Sequence, residues 1–426
     1  MRCFCAVLLT GLAACSGGAE PTKSLYAPDP PAVGAQARRA HETRAVEVRG
    51  PDGMFRVSAP AGSVRLETGV GAAAEPARLT IRGADGVLLE RDFPAGDEWH
   101  DVALDLPASD AAVALEISLE PAGAALGRLR VLAEGPLRPN VVLLTYDTLR
   151  ADHLSCYGYA RPTSPHIDSL AEDGLRCARV LAQTNWTYPS YVSTLTGLYP
   201  ESHGVVRGDR KTPDALVMLA ERLSQAGWAT EAHVSGTFTE AATGIAQGFD
   251  RYDDSGSSVG EAKAAHMTVT SGRIADAGID ALERLAGQRF FLMLHFFDPH
   301  QEYVPPPPYD TMFDPDYRGT MTGVVSLRQE PRWNPKIPRR DLEHVKALYD
   351  GEIAFADHHT GRVLARLEEL GLTDSTLVIV HGDHGDGFFE HRKEGHSNTL
   401  FGEETSTPLI FRLPRRLPAG TVIEQP

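Results

Sequence analysis

The chain has 426 residues, 42% of them hydrophobic, and carries a formal net charge of −16 at pH 7. This length and composition predict two or three domains with a sizeable hydrophobic core. The acidic balance argues against a nucleic-acid partner, because neutralising phosphates requires a basic surface. An anionic substrate would therefore have to be held by local cations or by a bound metal ion.

The N-terminus resembles a bacterial lipoprotein signal. Residues 4–12 form an apolar run that is too short to span a membrane, and a Leu-Ala-Ala-Cys sequence ending at Cys15 resembles a lipobox. The resemblance implies that residues 1–14 are a signal peptide, that the Cys15 thiol is lipidated and that acyl chains anchor the protein to a membrane. Ser16 favours the outer membrane, so we expect a bacterial cell-envelope protein that faces the periplasm or the surface. An ordinary secretory signal is the alternative.

Two of the five cysteines, Cys156 and Cys177, lie well beyond this N-terminal segment. Two cysteines in an exported domain could form a disulfide, but the sequence does not show whether their geometry permits it. Neither cysteine has the Cys/His spacing of a zinc site.

The region before residue 138 divides into a tether and a small domain. Residues 15–40 are rich in Gly, Pro and Ala, which predicts a flexible tether. In residues 41–135, short alternating or apolar runs recur about every ten residues between turn signals, which predicts a small antiparallel β-sandwich. The predicted strands are 45–48, 63–67, 77–81, 86–89, 101–106, 112–119 and 128–132. We expect a spacer or docking domain; carbohydrate binding is the alternative, although Trp99 is the only tryptophan in this region.

The pattern changes to α/β from residue 138 to residue 426. Residues 140–147 form a continuous apolar run ending in an acid, which is typical of a parallel strand buried on both faces. Further predicted strands are 229–234, 290–297, 376–380 and 408–412, and predicted helices are 212–227, 274–286 and 341–370. This alternation predicts a central, mostly parallel sheet flanked by helices, with ligands bound beyond the carboxyl ends of the strands.

Acidic and imidazole side chains follow three of these predicted strands. A single Asp or His at a strand end is usually a turn or cap residue, but several at one edge of one sheet can build a divalent metal site. The residues are Asp147, His295, Asp298, His300, His381, Asp383, His384 and Asp386, followed by His391 and His396.

Thr187 lies where a loop gives way to a predicted helix. Proline is tolerated only in the first turn of a helix, so Pro189 predicts that the helix begins near Tyr188. Thr187 would then lie among unpaired backbone N–H groups at the positive end of the helix dipole, a place that suits a nucleophile attacking a phosphate or sulfate ester. A simple N-cap role for Thr187 is the alternative.

Four segments, in chain order, resemble the motifs of the sulfatase family within the alkaline phosphatase superfamily. They are the strand and loop at 140–165, the sequence Thr187-Tyr188-Pro189-Ser190, the sequence 295–300 with Asp298-Pro299-His300, and Asp383-His384-Gly385 followed by Glu390-His391 and Gly395-His396. The resemblance covers about residues 138–412. It implies a sulfatase-like α/β fold and a metal-dependent hydrolase of sulfate- or phosphate-type esters, whose substrate is a sulfated or phosphorylated glycan, lipid or small molecule.

The resemblance also assigns a metal site. It implies that Asp147, Asp383 and His384 bind one divalent ion together with the Thr187 oxygen. Three oxygens and one imidazole suit Ca²⁺, Mg²⁺, Mn²⁺ or Zn²⁺. Metal coordination and the helix terminus would favour the Thr187 alkoxide, which otherwise forms too rarely at neutral pH to attack an ester.

Further histidines receive roles from the same resemblance. His300 and His396 are expected to contact the transferred group or to protonate the leaving oxygen, because imidazole titrates in the useful range. His203, His295 and Tyr191 are expected to contact the substrate.

The chain departs from the family pattern at three positions. Sulfatases carry a cysteine or serine that becomes formylglycine, whereas Thr187 cannot be converted, so water or another acceptor would have to cleave its ester. Tyr191 replaces an arginine, and Thr148 replaces a second acidic ligand. Related enzymes with a threonine nucleophile act on phosphodiesters, phosphonates or lipid head groups.

These departures leave two alternatives open. The chain could be a catalytically silent surface lipoprotein that binds glycans or a partner, or it could transfer a phospho-head-group to an acceptor. We also expect the C-terminal subdomain of the family to be missing after residue 412, which would expose a sheet edge.

Overall fold

The structure is a computed structural model, and it describes most of the chain. The described ranges are 36–39, 42–45, 54–59, 63–71, 75–106, 109, 111–121, 123–127, 129–133, 139–257, 270–324 and 335–424. The predicted signal peptide, Cys15 and the tether up to residue 35 lie outside these ranges.

The strands are numbered β1 to β20 along the described part of the chain. The first ten are β1 (Gln36–Arg39), β2 (Glu42–Ala45), β3 (Phe55–Ala59), β4 (Ser63–Gly71), β5 (Ala77–Gly83), β6 (Gly86–Phe93), β7 (Trp99–Asp105), β8 (Val113–Glu120), β9 (Ala125–Leu126) and β10 (Arg130–Ala133). The other ten are β11 (Asn140–Tyr146), β12 (Leu175–Cys177), β13 (Ala229–Ser235), β14 (Arg251–Gly256), β15 (Phe290–Phe296), β16 (Thr376–Gly382), β17 (Gly387–Phe388), β18 (Glu394–Gly395), β19 (Leu409–Arg412) and β20 (Thr421–Ile423).

Helices lie almost entirely after residue 150. The described α-helices are Pro165–Glu172, Thr187–Thr196, Pro200–His203, Leu219–Gln225, Ser271–Leu285, Arg339–Glu369 and Gly402–Thr405. The described 3₁₀ helices are Ala151–His153, Ser155–Tyr157, Thr237–Thr239, Ala241–Thr243 and Thr373–Ser375. None of the helices in the described ranges combines the length and apolar composition needed to cross a membrane.

The large sheet has ten strands in the order β1-β2-β14-β13-β15-β11-β16-β19-β12-β20. Its centre, from β14 to β16, is parallel, which confirms the predicted mostly parallel sheet.

Every residue of β11 is buried. Alternate β11 residues pack into two cores: Val142 and Leu144 with the helix Arg339–Glu369, and Val141 and Leu143 with the helix Thr187–Thr196. The continuous apolar run arises because side chains on both faces of a strand are covered.

The residues from β3 to β10 form two antiparallel sheets. Their orders are β3-β8-β5-β6 and β10-β4-β7, with β9 paired to β4. Alternate residues of both sheets, such as Val57, Leu66, Leu79 and Val102, share one hydrophobic core. This arrangement agrees with the predicted sandwich. The alternating strand Phe55–Ala59 was not predicted.

The N-terminal boundary of the sandwich was predicted wrongly. Strands β1 and β2 form an antiparallel hairpin, and β2 pairs with β14 at the edge of the large sheet. Residues 36–39 therefore do not belong to a flexible tether, and residues 42–45 do not belong to the sandwich. The hairpin covers backbone groups that β14 would otherwise leave unpaired, which is a common way to protect a sheet edge.

The predicted helix 212–227 is also shorter in the structure, which has a helix only at Leu219–Gln225. The side-chain amide of Gln247 donates to the carbonyl oxygens of Asp214 and Leu216, at 3.3 and 2.6 Å. These tertiary hydrogen bonds hold the preceding residues in a turn. By contrast, the predicted helical stretches at 341–370 form one continuous helix.

An ion network joins the sandwich to the large sheet. Glu231 is 4% exposed within β13 and pairs with Arg284 and with His233, whose Nε2 atom lies 2.7 Å from Oε1 of Glu231. Arg251 and Arg284 also reach Asp101 of the sandwich, at 3.4 and 3.9 Å. A buried acid on a central strand thus orients two cations toward the neighbouring domain.

We expect Glu231→Gln to lower the free energy of unfolding by about 3 kcal/mol at pH 7, because the buried His233 and the partly buried Arg284 and Arg251 lose the buried carboxylate that they share. Burial would raise the pKa of Glu231, but the His233 hydrogen bond and the Arg284 and Arg251 charges outweigh it and lower that pKa. The ionised carboxylate therefore stabilises the fold above its unfolded-state pKa of about 4.3, and this contribution is lost at lower pH.

Urea denaturation at pH 7 and pH 4 tests this expectation. Glu283→Gln is the matched control, because Glu283 is 49% exposed and pairs with Arg366 at the surface, where such pairs contribute little. Equal losses of stability in the two variants would contradict the proposed role of Glu231.

Candidate active site

The register of the central strands brings the predicted acids to one edge of the sheet. Tyr146, the last residue of β11, pairs with Phe296 of β15 and with Gly382 of β16. The backbone N–H of Asp383 donates to the Tyr146 carbonyl at 3.2 Å. Asp147 and Asp383 therefore follow neighbouring strands at the same level, as the sequence predicted.

Thr187 is the first residue of its helix and lies at this edge. The N-cap position belongs to Trp186, in extended conformation, and no side chain makes a capping hydrogen bond there. The N-cap alternative for Thr187 is therefore wrong. The Thr187 Oγ1 atom lies 3.3 Å from Oδ2 of Asp147 and 3.3 Å from Nε2 of His384. The Ser190 hydroxyl donates to the Asp383 carbonyl at 2.6 Å and fixes the helix against the end of β16.

Asp147, Asp383 and His384 form a group that fits a metal ion. One ligand atom from each lies within 4.8 Å of the others, and all three residues are buried. His384 Nδ1 lies 3.0 Å from the Gly385 carbonyl, which leaves Nε2 for a ligand bond. Among the described residues, Asp147 Oδ1 and Asp383 Oδ2 have no hydrogen-bond partner. Buried carboxylate oxygens without partners are costly, and a divalent cation would satisfy both.

The electrostatics of these residues also favour a cation. Burial raises the pKa of Asp147 well above its ordinary value, and the charges of Asp383 and Asp386 raise it further. Burial raises the pKa of Asp383 to about 8 and lowers the pKa of the His384 imidazole well below its ordinary value. Burial therefore favours the protonated form of both carboxyl groups, whereas a bound cation would favour their ionised form.

Thr148 supports the site through its backbone. Its φ of 54° lies in the left-handed region, which is costly for a β-branched residue. Its N–H donates to Asp383 Oδ1 at 3.1 Å, and its carbonyl accepts a hydrogen bond from the Tyr349 hydroxyl at 2.7 Å. Thr148 thus orients Asp383 from the position where the family carries an acidic ligand.

His396 lies beside the metal-ligand group, and His300 lies next to His396. The His396 ring centroid lies 4.6 Å from that of His384 and 4.9 Å from that of His300. Burial lowers the pKa of His396, but the charge of Asp386 and a hydrogen bond to it raise the pKa above its ordinary value. His300 stacks on Phe297 at 4.4 Å. The imidazoles of His384, His396 and His300 therefore follow one another at this edge of the sheet.

Three residues that were predicted to contact the substrate, Tyr191, His295 and His203, are buried against other parts of the protein. Tyr191 is 1% exposed, and its hydroxyl donates to Thr145 Oγ1 at 2.6 Å. His295 is fully buried between Tyr191 and Asp147, and burial lowers its pKa to about 3. His295 lies 3.7 Å from Asp147 Oδ2 and Tyr191 packs edge-on against His295, and neither buried side chain offers a surface to a substrate.

His203 has a structural position. It is 3% exposed, its Nε2 atom lies 3.0 Å from the Ser193 hydroxyl, and its Nδ1 atom accepts a hydrogen bond from the Val205 N–H at 3.1 Å. Both ring nitrogens therefore serve the turn that follows the Thr187 helix. The expectation of substrate contact is not supported for His203.

Sequence reasoning missed the residues that hold the surrounding loops. Asn185 Nδ2 donates to the Thr399 carbonyl at 2.7 Å and to Glu404 Oε2 at 2.9 Å, and its own carbonyl accepts from the Ser397 N–H at 2.9 Å. These bonds tie the His396 loop to the segment before Thr187. Asp386 was included among the strand-end acids without a role, and no sequence signal pointed to its partner Tyr303.

No disulfide joins Cys156 to Cys177 in the structure. Burial raises the pKa of the Cys156 thiol, which makes it a weak nucleophile. The disulfide that the sequence left open is therefore not formed.

Comparisons with known proteins agree with this architecture. The mostly parallel sheet, its flanking helices and the acids at its strand ends define a sulfatase-like α/β fold. Residues 139–426 match the protein-family model described as Sulfatase, and the chain belongs to the sulfatase family.

Individual relatives are distant. An ulvan-active sulfatase of Formosa agariphila is 26% identical over 271 residues, which cover 59% of this chain and 51% of that protein. An arylsulfatase of Clostridium perfringens is 25% identical over 313 residues, which cover 60% of this chain and 64% of that protein. The chain thus spans about half to two thirds of the length of these curated relatives.

Solved structures show the same fold. The phosphonate monoester hydrolase of Silicibacter pomeroyi has a TM-score of 0.56 and 23% sequence identity, and the match covers 68% of this chain and 70% of that chain. At this identity, the likeness supports the fold alone.

Proposed function

We propose that the chain is a metal-dependent hydrolase that cleaves sulfate- or phosphate-type esters with Thr187 as its nucleophile. One observation carries the proposal: the Thr187 hydroxyl lies 3.3 Å from both Asp147 and His384, within a buried group of potential metal ligands. The Thr187 oxygen can therefore join the ligands of a cation. When bound, a divalent ion such as Ca²⁺, Mg²⁺, Mn²⁺ or Zn²⁺ would supply positive charge that favours the alkoxide and stabilises the transferred group.

The residues support a two-step reaction. Thr187 Oγ1 loses its proton to solvent and forms a bond to the sulfur or phosphorus atom of the ester, while the bond between that atom and the leaving oxygen breaks. His396 gives a proton to that oxygen, because its ring lies 4.6 Å from that of His384, or His300 does so from its place 4.9 Å from the His396 ring. Water then attacks the same sulfur or phosphorus atom and releases the Thr187 hydroxyl. The second step needs water because threonine has no aldehyde form to which an intermediate could collapse.

The charge of the site favours esters with one negative charge. Tyr191 places a neutral, buried ring where the family pattern has an arginine, so one cation of the usual site is replaced. Sulfate monoesters, phosphonate monoesters and phosphodiesters each carry one charge, whereas a phosphate monoester carries nearly two at neutral pH. We therefore propose the singly charged esters as substrates, attached to a glycan, a lipid or a small molecule.

A panel of aryl esters tests this proposal. The purified, unlipidated chain is assayed with p-nitrophenyl sulfate, phenylphosphonate, phosphodiester and phosphate, each with Ca²⁺, Mg²⁺, Mn²⁺ or Zn²⁺. We expect kcat/KM for at least one singly charged ester to exceed that for phosphate by at least ~10-fold, equivalent to ~1.4 kcal/mol of transition-state binding. A preference for the phosphate monoester would contradict the charge argument, and inactivity toward every ester would contradict the hydrolase.

We also propose attachment to the bacterial envelope through Cys15, on the strength of the lipobox resemblance alone. Mass analysis of the mature N-terminus tests this proposal, because diacylglycerol and an acyl chain add a large, defined mass. Cys15→Ala should release the protein from the membrane fraction. An unmodified mature N-terminus would indicate an ordinary secretory signal.

Two alternatives rest on specific observations. Tyr191 and Thr148, at positions where the family pattern has an arginine and an acid, favour a silent binding protein, which has no need to retain a tight metal. The metal content of the purified protein separates that reading from a hydrolase. A phospho-head-group transferase would give a new diester when an acceptor alcohol is added, whereas a hydrolase would give the free acid.

A further inference from the structure

Asp386 links the loop that carries His396 to the loop that carries His300. It is fully buried, and its Oδ1 atom lies 2.9 Å from Nδ1 of His396. Its Oδ2 atom accepts a hydrogen bond from the Tyr303 hydroxyl. Asp386 follows β16, whereas Tyr303 follows β15, three residues beyond His300. One carboxylate therefore connects two strand-end loops at the site.

The surroundings hold Asp386 firmly. Arg150 Nη1 donates to the Asp386 carbonyl at 2.9 Å, which fixes the backbone. Tyr303 is 2% exposed, and its ring packs 5.5 Å from the rings of both Tyr349 and Phe388. The carboxylate therefore has little freedom to follow a moving imidazole and sets the position of the ring instead.

We propose that Asp386, held in turn by Tyr303, is a positioning residue that directs the Nε2 atom of His396 toward the ester group. This inference rests on the proposed hydrolase function. Because Nδ1 faces Asp386, Nε2 is the nitrogen left to reach the substrate, and carboxylate–imidazole pairs fix ring orientation in this way. The ring then stays beside His384 and His300, at 4.6 and 4.9 Å between centroids.

The protein contains a second Tyr–Asp–His group that serves as an internal control. Asp350 is fully buried, its Oδ1 atom lies 2.6 Å from Nδ1 of His153, and its Oδ2 atom accepts a hydrogen bond from the Tyr159 hydroxyl at 2.7 Å. The His153 ring packs against Tyr159 and Tyr349, at 4.6 and 5.0 Å. This group makes the same Tyr–Asp–His hydrogen bonds together with an ion pair between Arg161 and Asp350 at 2.6 Å, and its imidazole packs among aromatic rings of the core.

The test compares Asp386→Asn with Asp350→Asn in the full chain with metal, using the aryl ester that the wild type cleaves best. We expect Asp386→Asn to lower kcat by ~10²-fold with little change in KM, because a misplaced catalytic group costs about that much. Asp350→Asn should lower the Tm and leave kcat close to the wild-type value. If the Asn variants fail to fold, Tyr303→Phe and Tyr159→Phe form a milder pair with the same expected contrast.

A double variant separates positioning from general damage. If Asp386 acts through His396, Asp386→Asn combined with His396→Asn should be no slower than His396→Asn alone, because coupled residues are not additive. A double variant whose kcat loss equals the product of the two single losses would overturn the inference. Equal kcat losses for Asp386→Asn and Asp350→Asn would also overturn it. In both cases an active wild type would still support the proposed hydrolase. A wild type that cleaves no ester would overturn both.

Discussion

Replacing Thr187 with alanine is expected to abolish ester hydrolysis while leaving the fold intact. Loss of a covalent nucleophile costs ~10⁴-fold or more in kcat, because the remaining groups bind the ester without an atom to attack it. The side chain is small, and the hydrogen-bond geometry of its hydroxyl within the described ranges involves Asp147 and His384, each at 3.3 Å, so packing should change little. The measurements are kcat on the best aryl ester and the thermal unfolding curve.

Two control variants sharpen this prediction. Thr187→Ser keeps the hydroxyl and should retain measurable turnover, whereas Thr194→Ala removes another buried hydroxyl from the same helix and should retain nearly full turnover. Substantial activity in Thr187→Ala would show that another group, or water, attacks the ester. Equal losses in Thr187→Ala and Thr194→Ala would indicate damage to the helix rather than loss of a nucleophile.

Asp383→Asn is expected to remove metal binding and activity together. Asp383 contributes an oxygen without a hydrogen-bond partner among the described residues, and its other oxygen is held by the N–H groups of Thr148 and His384. We expect metal content to fall from about one ion per chain to nearly none, and kcat to fall ~10³-fold with the loss of several kcal/mol of charge stabilisation. Elemental analysis and kinetics test both expectations.

The same substitution should change how stability depends on pH in the metal-free protein. Burial raises the pKa of Asp383 to about 8, above its unfolded-state value. The folded chain therefore binds a proton that the unfolded chain has released, so stability falls as pH rises from about 4 to about 8. Metal-free Asp383→Asn should be more stable than metal-free wild type at pH 8, with a smaller difference at pH 5.

Asp357→Asn is a matched control for the effect of Asp383→Asn on metal content. Asp357 is also buried and accepts hydrogen bonds from the backbone N–H groups of His166 and Ile167, but it lies outside the metal-ligand group. We expect Asp357→Asn to leave metal content unchanged. Tight metal binding by Asp383→Asn would place the ion elsewhere and would contradict the assigned ligands.

The sequence predicted the sheet and the main site residues because their signals are local. A continuous apolar run such as Asn140–Tyr146 is needed only where both faces of a strand are buried, and the acid that follows marks the edge. Pro189 likewise restricts where its helix can begin. The resemblance to the sulfatase motifs, which follow one another in order along the chain, then indicated that these residues form one site. The structure places Asp147, Thr187 and His384 together.

Other features could not be predicted because their causes lie far apart in the sequence. The role of Tyr191 depends on a hydroxyl partner 46 residues away, and the bond between Tyr303 and Asp386 spans 83 residues. His203 belongs to a family motif, yet nothing local shows that both of its ring nitrogens are occupied. The short sequences of Gln36–Arg39 and Glu42–Ala45 have no run of alternating apolar residues, so only their pairing reveals them as strands.

That hairpin determines where the polypeptide can be divided. A recombinant fragment that begins at residue 138 would contain the whole matched family region but would lose β2, the strand that pairs with β14. The freed edge would present a row of unpaired N–H and C=O groups, which invites pairing with another copy and aggregation. Soluble expression should therefore require a start before Gln36, even though the sequence places the catalytic region some hundred residues later.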